Sequence, residues 1–140
     1  MLDRYASALI KPAVSRLARV LARSGLGANQ ITLAGFAVGV VAFILIANNL
    51  YWTGIAAIFL SRILDALDGA VARLSQPTDR GAFLDIALDF LFYASIPLAF
   101  ALAEPARNAL AAATLLAAFI GTSSSFLAFA VLAAKRGLHS

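Results

Sequence analysis

The chain has 140 residues, 62% of them hydrophobic and 13% charged, with a mean hydropathy of +0.90. A soluble domain carries about a quarter charged residues and roughly half apolar ones, so a soluble globule is excluded, and the absence of cysteine excludes a disulfide scaffold and thiol chemistry. The net charge of +4 sits on arginines interleaved with apolar runs, a pattern of membrane topology and headgroup contact and not of nucleic-acid binding.

Residues 1–24 alternate charged and apolar positions at helical spacing. Arg4, Lys11, Arg16, Arg19 and Arg23 fall within one arc of about 140°, and Leu2, Tyr5, Leu9, Ala13, Leu17, Val20 and Leu21 occupy much of the rest. Such a basic amphipathic helix is expected to lie in the headgroup plane, kinked or restarted at Pro12. Ser24-Gly25-Leu26-Gly27 ends it, and Asn29 or Thr32 is the expected cap of the next helix.

Four apolar segments follow, near the length of about 20 residues that spans a bilayer. They are placed at Ile31–Ile46, Gly54–Arg73, Gly81–Leu102 and Asn108–Ala134. The first can extend from Thr32 to Leu50, with Tyr51-Trp52 at the interface beyond it. In the fourth, Gly121-Thr122-Ser123-Ser124-Ser125 is read as a site of close helix packing. The expected architecture is an all-α, polytopic membrane protein. One domain covers 1–140, an interfacial helix over 1–24 followed by a four-helix membrane region over 25–140. Lys and Arg concentrate on alternate loops: five on the amino-terminal arm, Arg73 and Arg80 at the 73–80 turn, and Lys135 and Arg136 at the carboxyl end. The other side offers only Arg107, so both termini are expected in the cytoplasm, in a bacterial inner membrane. His139 is read as part of an exposed tail.

Asp65, Asp68, Asp85 and Asp89 lie inside segments that otherwise read as membrane spans, and they are four of the seven acids in the chain. An aspartate at mid-bilayer costs about 2.5–3.5 kcal/mol on insertion scales and marks a functional site by default. Asp65, Asp68, Gly69, Ala72 and Arg73 share one helix face, and Gly81, Asp85 and Asp89 form one stripe on the next helix. The short turn between them predicts an antiparallel pair, with Asp65 level with Asp89 and Asp68 level with Asp85. The quartet then sits roughly 6–12 Å below the cytoplasmic boundary. Oxygen-only ligands without histidine or cysteine favour Mg²⁺ or Mn²⁺, and four carboxylates suit a pair of ions that can clamp a phosphate. Gly69, Ala72 and Gly81 leave room for a ligand near the backbone, and Arg73 offers a cation at the mouth. Two bland readings compete: aspartates paired with Arg62 and Arg73 as a structural clasp, and a small four-helix transporter coupled to cations or protons.

The run Asp65-Ala66-Leu67-Asp68-Gly69-Ala70-Val71-Ala72-Arg73, followed after seven residues by Gly81-x3-Asp85-x3-Asp89, resembles the signature of the CDP-alcohol phosphatidyltransferases. Eight fixed positions agree over 25 residues. Asn29-Gln30-Ile31-Thr32 resembles the family's entry into its first span, with Ala28 where proline is usual. The resemblance implies transfer of a substituted phosphate from a CDP-linked lipid, of the CDP-diacylglycerol type, to an acceptor alcohol with release of CMP. It implies Asp65, Asp68, Asp85 and Asp89 as ligands of two Mg²⁺ or Mn²⁺ ions, Asp89 also as catalytic base, and a homodimer surrounded by membrane lipid. Asn29, Thr32, Gly69, Ala72, Arg73, Thr78 and Gly81 would line the CDP site, although Thr78 can equally be a helix cap. The family has six spanning helices and this sequence supplies four, so two carboxyl-terminal helices are expected to be missing from it. A binding paralogue without turnover is the further alternative on that ground.

Overall fold

A computed structural model describes residues 2–76 and 78–137, with side chains from Ile10 onward. Five helices follow in order: α1 (Leu2–Arg23), α2 (Ala28–Ala47), α3 (Tyr51–Leu74), α4 (Asp79–Ala103) and α5 (Pro105–Lys135). Four long helices thus match the four expected spans, each a few residues longer than its apolar core. By length and composition α2, α4 and α5 can cross a membrane. α3 has 24 residues but carries Arg62 at its middle and Asp65, Asp68 and Arg73 in its second half. Its passage through lipid therefore depends on the neighbours that cover those charges. His139 lies outside the described residues.

The helix ends follow from local chemistry. Gly25, at φ 84°, closes α1 with hydrogen bonds from Leu26 N to Leu21 O (3.3 Å) and from Gly25 N to Ala22 O (3.2 Å), the pairing that a left-handed residue after a helix permits. Asn49, at φ 63°, ends α2 in the same way, with Leu50 N bonded to Leu45 O at 2.9 Å. Pro12 lies inside α1, which nevertheless runs through it as one helix. Neither Asn29 nor Thr32 caps α2. The N-cap is Gly27, whose N–H donates to the Gln30 side chain at 3.1 Å, while the Thr32 hydroxyl donates back to Ala28 O. A single residue, Glu104, joins α4 to α5, and Asn108 pins the corner by donating to Phe100 O at 2.9 Å.

α2 is the hub. It packs against both α3 and α4, whereas α5 rests on α4 and α1 on α3. The backbones of α3 and α4 stay more than 8 Å apart among the described residues, despite the four-residue connection between them. The two helices expected as an antiparallel pair meet through side chains and not backbone to backbone, with α2 packed against both. Small residues on α2 set this spacing. A Cβ on Gly35 would meet Leu64 Cβ at 3.2 Å, and one on Gly39 would meet Phe92 Cδ2 at 2.6 Å, so each glycine admits one neighbour. The Ser61 hydroxyl, fully buried, locks α3 to α2 by donating to Gly35 O at 2.8 Å.

One face of α1 packs on the bundle: Ala18 is fully buried in a cluster with Ile31, Leu67, Ala70 and Val71, flanked by Val14 and Leu21. Ala18 is small enough for close approach, and Ile10, Leu17 and Val20 remain exposed for lipid. The close packing expected at Gly121–Ser125 is not seen at Gly121 among the described residues: a Cβ there meets no atom within 4 Å, and Thr122 and Ser125 bond back to their own helix. Elsewhere the large apolar side chains point outward, among them Trp52, Phe83, Leu110 and Phe129, as a lipid-facing surface requires.

Candidate active site

The gap between α3 and α4 holds the acidic residues. Asp65, Asp68 and Asp85 each present an oxygen within 4.8 Å of the other two. Asp68 is the deepest, 4% exposed, and its Oδ2 has no hydrogen-bond partner. A buried, orphaned carboxylate oxygen beside two further carboxylates is costly unless something positive joins them. Hard divalent cations take this all-oxygen donor set, so the residues fit a metal.

Asp89 stands apart from the trio. Its Oδ1 accepts from Arg62 Nη1 at 2.8 Å, and the same nitrogen lies 3.5 Å from Asp65 Oδ2. Arg62 thus bridges the two residues predicted to be level across the gap, and the structural clasp weighed from sequence holds for this one arginine. Its guanidinium sits over the Phe92 ring at 4.0 Å and over Tyr93 at 5.2 Å, close enough for cation–π attraction. Arg73 makes no ion pair among the described residues; its Nη1 lies 3.6 Å from where a Cβ on Gly69 would be.

Beside the trio opens a cavity of about 390 Å³, whose walls include Asn29, Thr32, Asp68, Gly69, Ala72, Thr78, Gly81 and Asp85. Six of the seven residues assigned to CDP from the sequence line it, and Arg73 stands outside. The first turns of α2 and α4 meet at this cavity. Thr78 caps α4 by accepting from Gly81 N at 3.1 Å, and a Cβ on Gly81 would come within 3.1 Å of Asn29 Oδ1. Two helix amino-termini facing one space make an anion-friendly wall. Sequence reasoning missed this feature, along with the lining by Gln30, Ser75 and Gln76. Polar residues flanking the helix breaks were the available signal.

On the other side of the trio a cleft of about 10 Å³, bounded by Thr32, Gly35, Phe36, Arg62, Asp65, Asp85, Leu88 and Asp89, leaves space for about one water. Thr32 and Asp85 belong to both spaces. The carboxylate trio therefore lies at the boundary between a roomy chamber and a narrow one that holds Asp89.

Comparison with known proteins adds to this geometry. The sequence pattern of the family described as CDP-alcohol phosphatidyltransferase matches residues 26–139. The Escherichia coli (strain K12) protein named "Inner membrane protein YnjF" is 54% identical over 140 residues, covering the whole chain and 68% of that protein. "Archaetidylinositol phosphate synthase" of Methanothermobacter thermautotrophicus is 42% identical over 83 residues, 58% of this chain and 43% of the synthase. The protein of the same name from Pyrococcus horikoshii is 36% identical over 89 residues, 62% of this chain and 47% of the synthase. The chain thus spans less than half the length of either synthase. No solved structure matches it.

Proposed function

This chain belongs to the CDP-alcohol phosphatidyltransferase family, and on that footing we propose that it moves the substituted phosphate of a CDP-linked lipid, of the CDP-diacylglycerol type, to an acceptor alcohol. The observation that carries the reading is the trio of Asp65, Asp68 and Asp85, with the orphaned Asp68 oxygen, at the boundary of a chamber walled by helix amino-termini. Asp65, Asp68 and Asp85 would hold Mg²⁺ or Mn²⁺, and Asp89, paired with Arg62 outside that trio, would serve as the base and not as the further ligand that the resemblance implies. When bound, such ions offset charge on the pyrophosphate and on the departing CMP.

The remaining roles belong to the chain itself. Gly69, Ala72 and Gly81 let the nucleotide lie close to the backbone. The amino-termini of α2 and α4, Asn29, Thr32 and Thr78 offer polar contacts to its phosphates, and Arg73 supplies a cation at the edge. Asp89, in the narrow cleft, accepts the proton of the acceptor hydroxyl as that oxygen bonds to the lipid-side phosphorus. The bond from phosphorus to the bridging oxygen breaks, and CMP leaves with that oxygen. The roomy chamber suits the donor nucleotide, and the cleft at Asp89, with space for about one water, suits only the reacting hydroxyl of the acceptor. We place the site and both termini on the cytoplasmic side, as the arginine distribution favours, and read the protein as a homodimer. Two relatives carry a name that specifies an inositol phosphate product, so inositol phosphate is the first acceptor to test.

The test is CMP release from CDP-diacylglycerol by the full protein in detergent, with a panel of acceptors. Release is expected to need an acceptor alcohol, to stop on chelation and to return with Mg²⁺ or Mn²⁺. Failure to bind CDP in the presence of either ion, together with cation flux in liposomes, would instead support the transporter reading.

A further inference from the structure

Arg62 lies outside the eight signature positions, yet it is the most heavily engaged side chain at the site. Nη1 donates to Asp89 Oδ1 at 2.8 Å and reaches Tyr93 Oη at 3.4 Å, and Nη2 reaches Ser61 Oγ at 3.4 Å. Its Nε is buried without a partner. The guanidinium rests on Phe92, which is 3% exposed and seated against the bare backbone of Gly39. An exposed arginine would trade partners freely. This one is fixed by a ring, two hydroxyls and two carboxylates; it holds Asp89 at 2.8 Å and lies 3.5 Å from Asp65, while Asp65, Asp68 and Asp85 converge without Asp89.

We propose that Arg62 is a positioning residue that competes with divalent cations for Asp89, keeping the fourth aspartate oriented as a base and away from the metal-binding trio. The inference rests on the metal-dependent reading above. Its physical basis is a conflict of roles. A carboxylate drawn fully onto a dication gives up the electron density that a base needs, whereas a guanidinium bound to one oxygen leaves the other free for a hydroxyl proton. A fixed positive charge beside Asp65 and Asp89 also repels incoming cations. Arg62 therefore lowers metal affinity and raises turnover, and its loss moves the two in opposite directions. A strut that merely holds α3 to α4 would lose both together.

The experiment is a Mn²⁺ titration of the full chain in detergent, read by loss of the free-ion electron paramagnetic resonance signal, alongside melting temperature. It compares wild type, Arg62→Lys, Arg62→Gln and Arg62→Met. Arg62→Gln and Arg62→Met are expected to bind Mn²⁺ about three- to tenfold more tightly than wild type, from removal of one unit charge near the site. Arg62→Lys, which keeps the charge, stays near wild type. In CMP release, Arg62→Gln loses at least about tenfold in kcat with KM for the CDP-lipid within about twofold, the mark of an interaction made at the chemical step. Arg62→Met preserves the packing on Phe92, so it carries the comparison if Arg62→Gln does not fold. Equal or weaker Mn²⁺ binding by Arg62→Met than by wild type overturns the inference and leaves the metal reading standing. Absence of saturable Mn²⁺ binding by the wild-type chain overturns both.

Discussion

Replacing Gly39 with alanine tests whether packing near the middle of α2 controls the chemistry at the carboxylates. The new Cβ would sit 2.6 Å from Phe92 Cδ2 and 3.1 Å from Cε2. Carbon atoms rest comfortably at about 3.5–4.0 Å, so the ring must retreat by about 1 Å, or α2 must lift off α4. Overpacking of this kind costs about 1–3 kcal/mol. The consequence for function is larger, because Phe92 carries the Arg62 guanidinium at 4.0 Å and Arg62 in turn holds Asp89 at 2.8 Å. A displacement of about 1 Å passed to a reacting group can cost about 10²-fold in rate. Gly39→Ala is therefore expected to lose about 10²-fold in CMP release and to melt several degrees lower in detergent. Gly35→Ala, whose Cβ meets Leu64 Cβ at 3.2 Å, should be milder. Gly121→Ala, with no atom within 4 Å, should stay within about 0.5 kcal/mol of wild type. Adding Phe92→Leu to Gly39→Ala relieves the overlap but removes the nearer of the two rings beside Arg62, so stability should recover and turnover should not. Wild-type melting and turnover in Gly39→Ala would refute the chain of contacts from α2 to Asp89.

Asp68→Asn keeps the shape of the deepest carboxylate but removes its charge; saturable Mn²⁺ binding and CMP release are both expected to fall at least about tenfold, measured by titration and product assay. Thr78→Ala removes the cap that Thr78 Oγ1 gives to Gly81 N at 3.1 Å, at a cost of about 1 kcal/mol in thermal unfolding, and it should weaken CDP binding measured by calorimetry because the same residue lines the chamber. Ser61→Ala deletes the buried bond to Gly35 O at 2.8 Å; the expected loss is about 1 kcal/mol of stability, with Mn²⁺ affinity preserved.

What could be read from the sequence was whatever repeats along one helix. The spacing of Asp65 and Asp68 on α3, and of Gly81, Asp85 and Asp89 on α4, placed each set on a face, and Asp65, Asp68 and Asp85 do converge. The helix limits followed from apolar length and from the glycines of the Ser24–Gly27 break. What could not be read lies between helices. The pairing of Arg62 with Asp89 joins residues 27 apart in sequence, and no local pattern distinguishes it from a pairing with Arg73. The α2 caps were misassigned because Asn29 and Thr32 are good capping residues in isolation. Here the oxygen of Asn29 lies against Gly81 of α4, and Thr32 bonds to Ala28 O and lines both spaces at the site. The fully buried position of Ala18 was equally hidden, since an alanine on an amphipathic helix gives no sign of what it approaches.

The least conspicuous element does most to shape the site. α2 has no charged residue, and among the residues that the sequence singled out it carries only Asn29 and Thr32. Yet among the described residues it alone packs against both α3 and α4, whose backbones stay more than 8 Å apart. If α3 and α4 packed directly, their small residues would meet and the aspartates would be driven into one another without room for a cation. If they separated further, Arg62 could not span from Asp65 to Asp89. The interval is set by Gly35 against Leu64 and by Gly39 against Phe92, contacts with no chemistry of their own. An apolar helix can thus tune a polar site by fixing the width of the gap, so substitutions that add bulk along the Gly35–Gly39 face should impair metal binding and turnover while every aspartate remains in place.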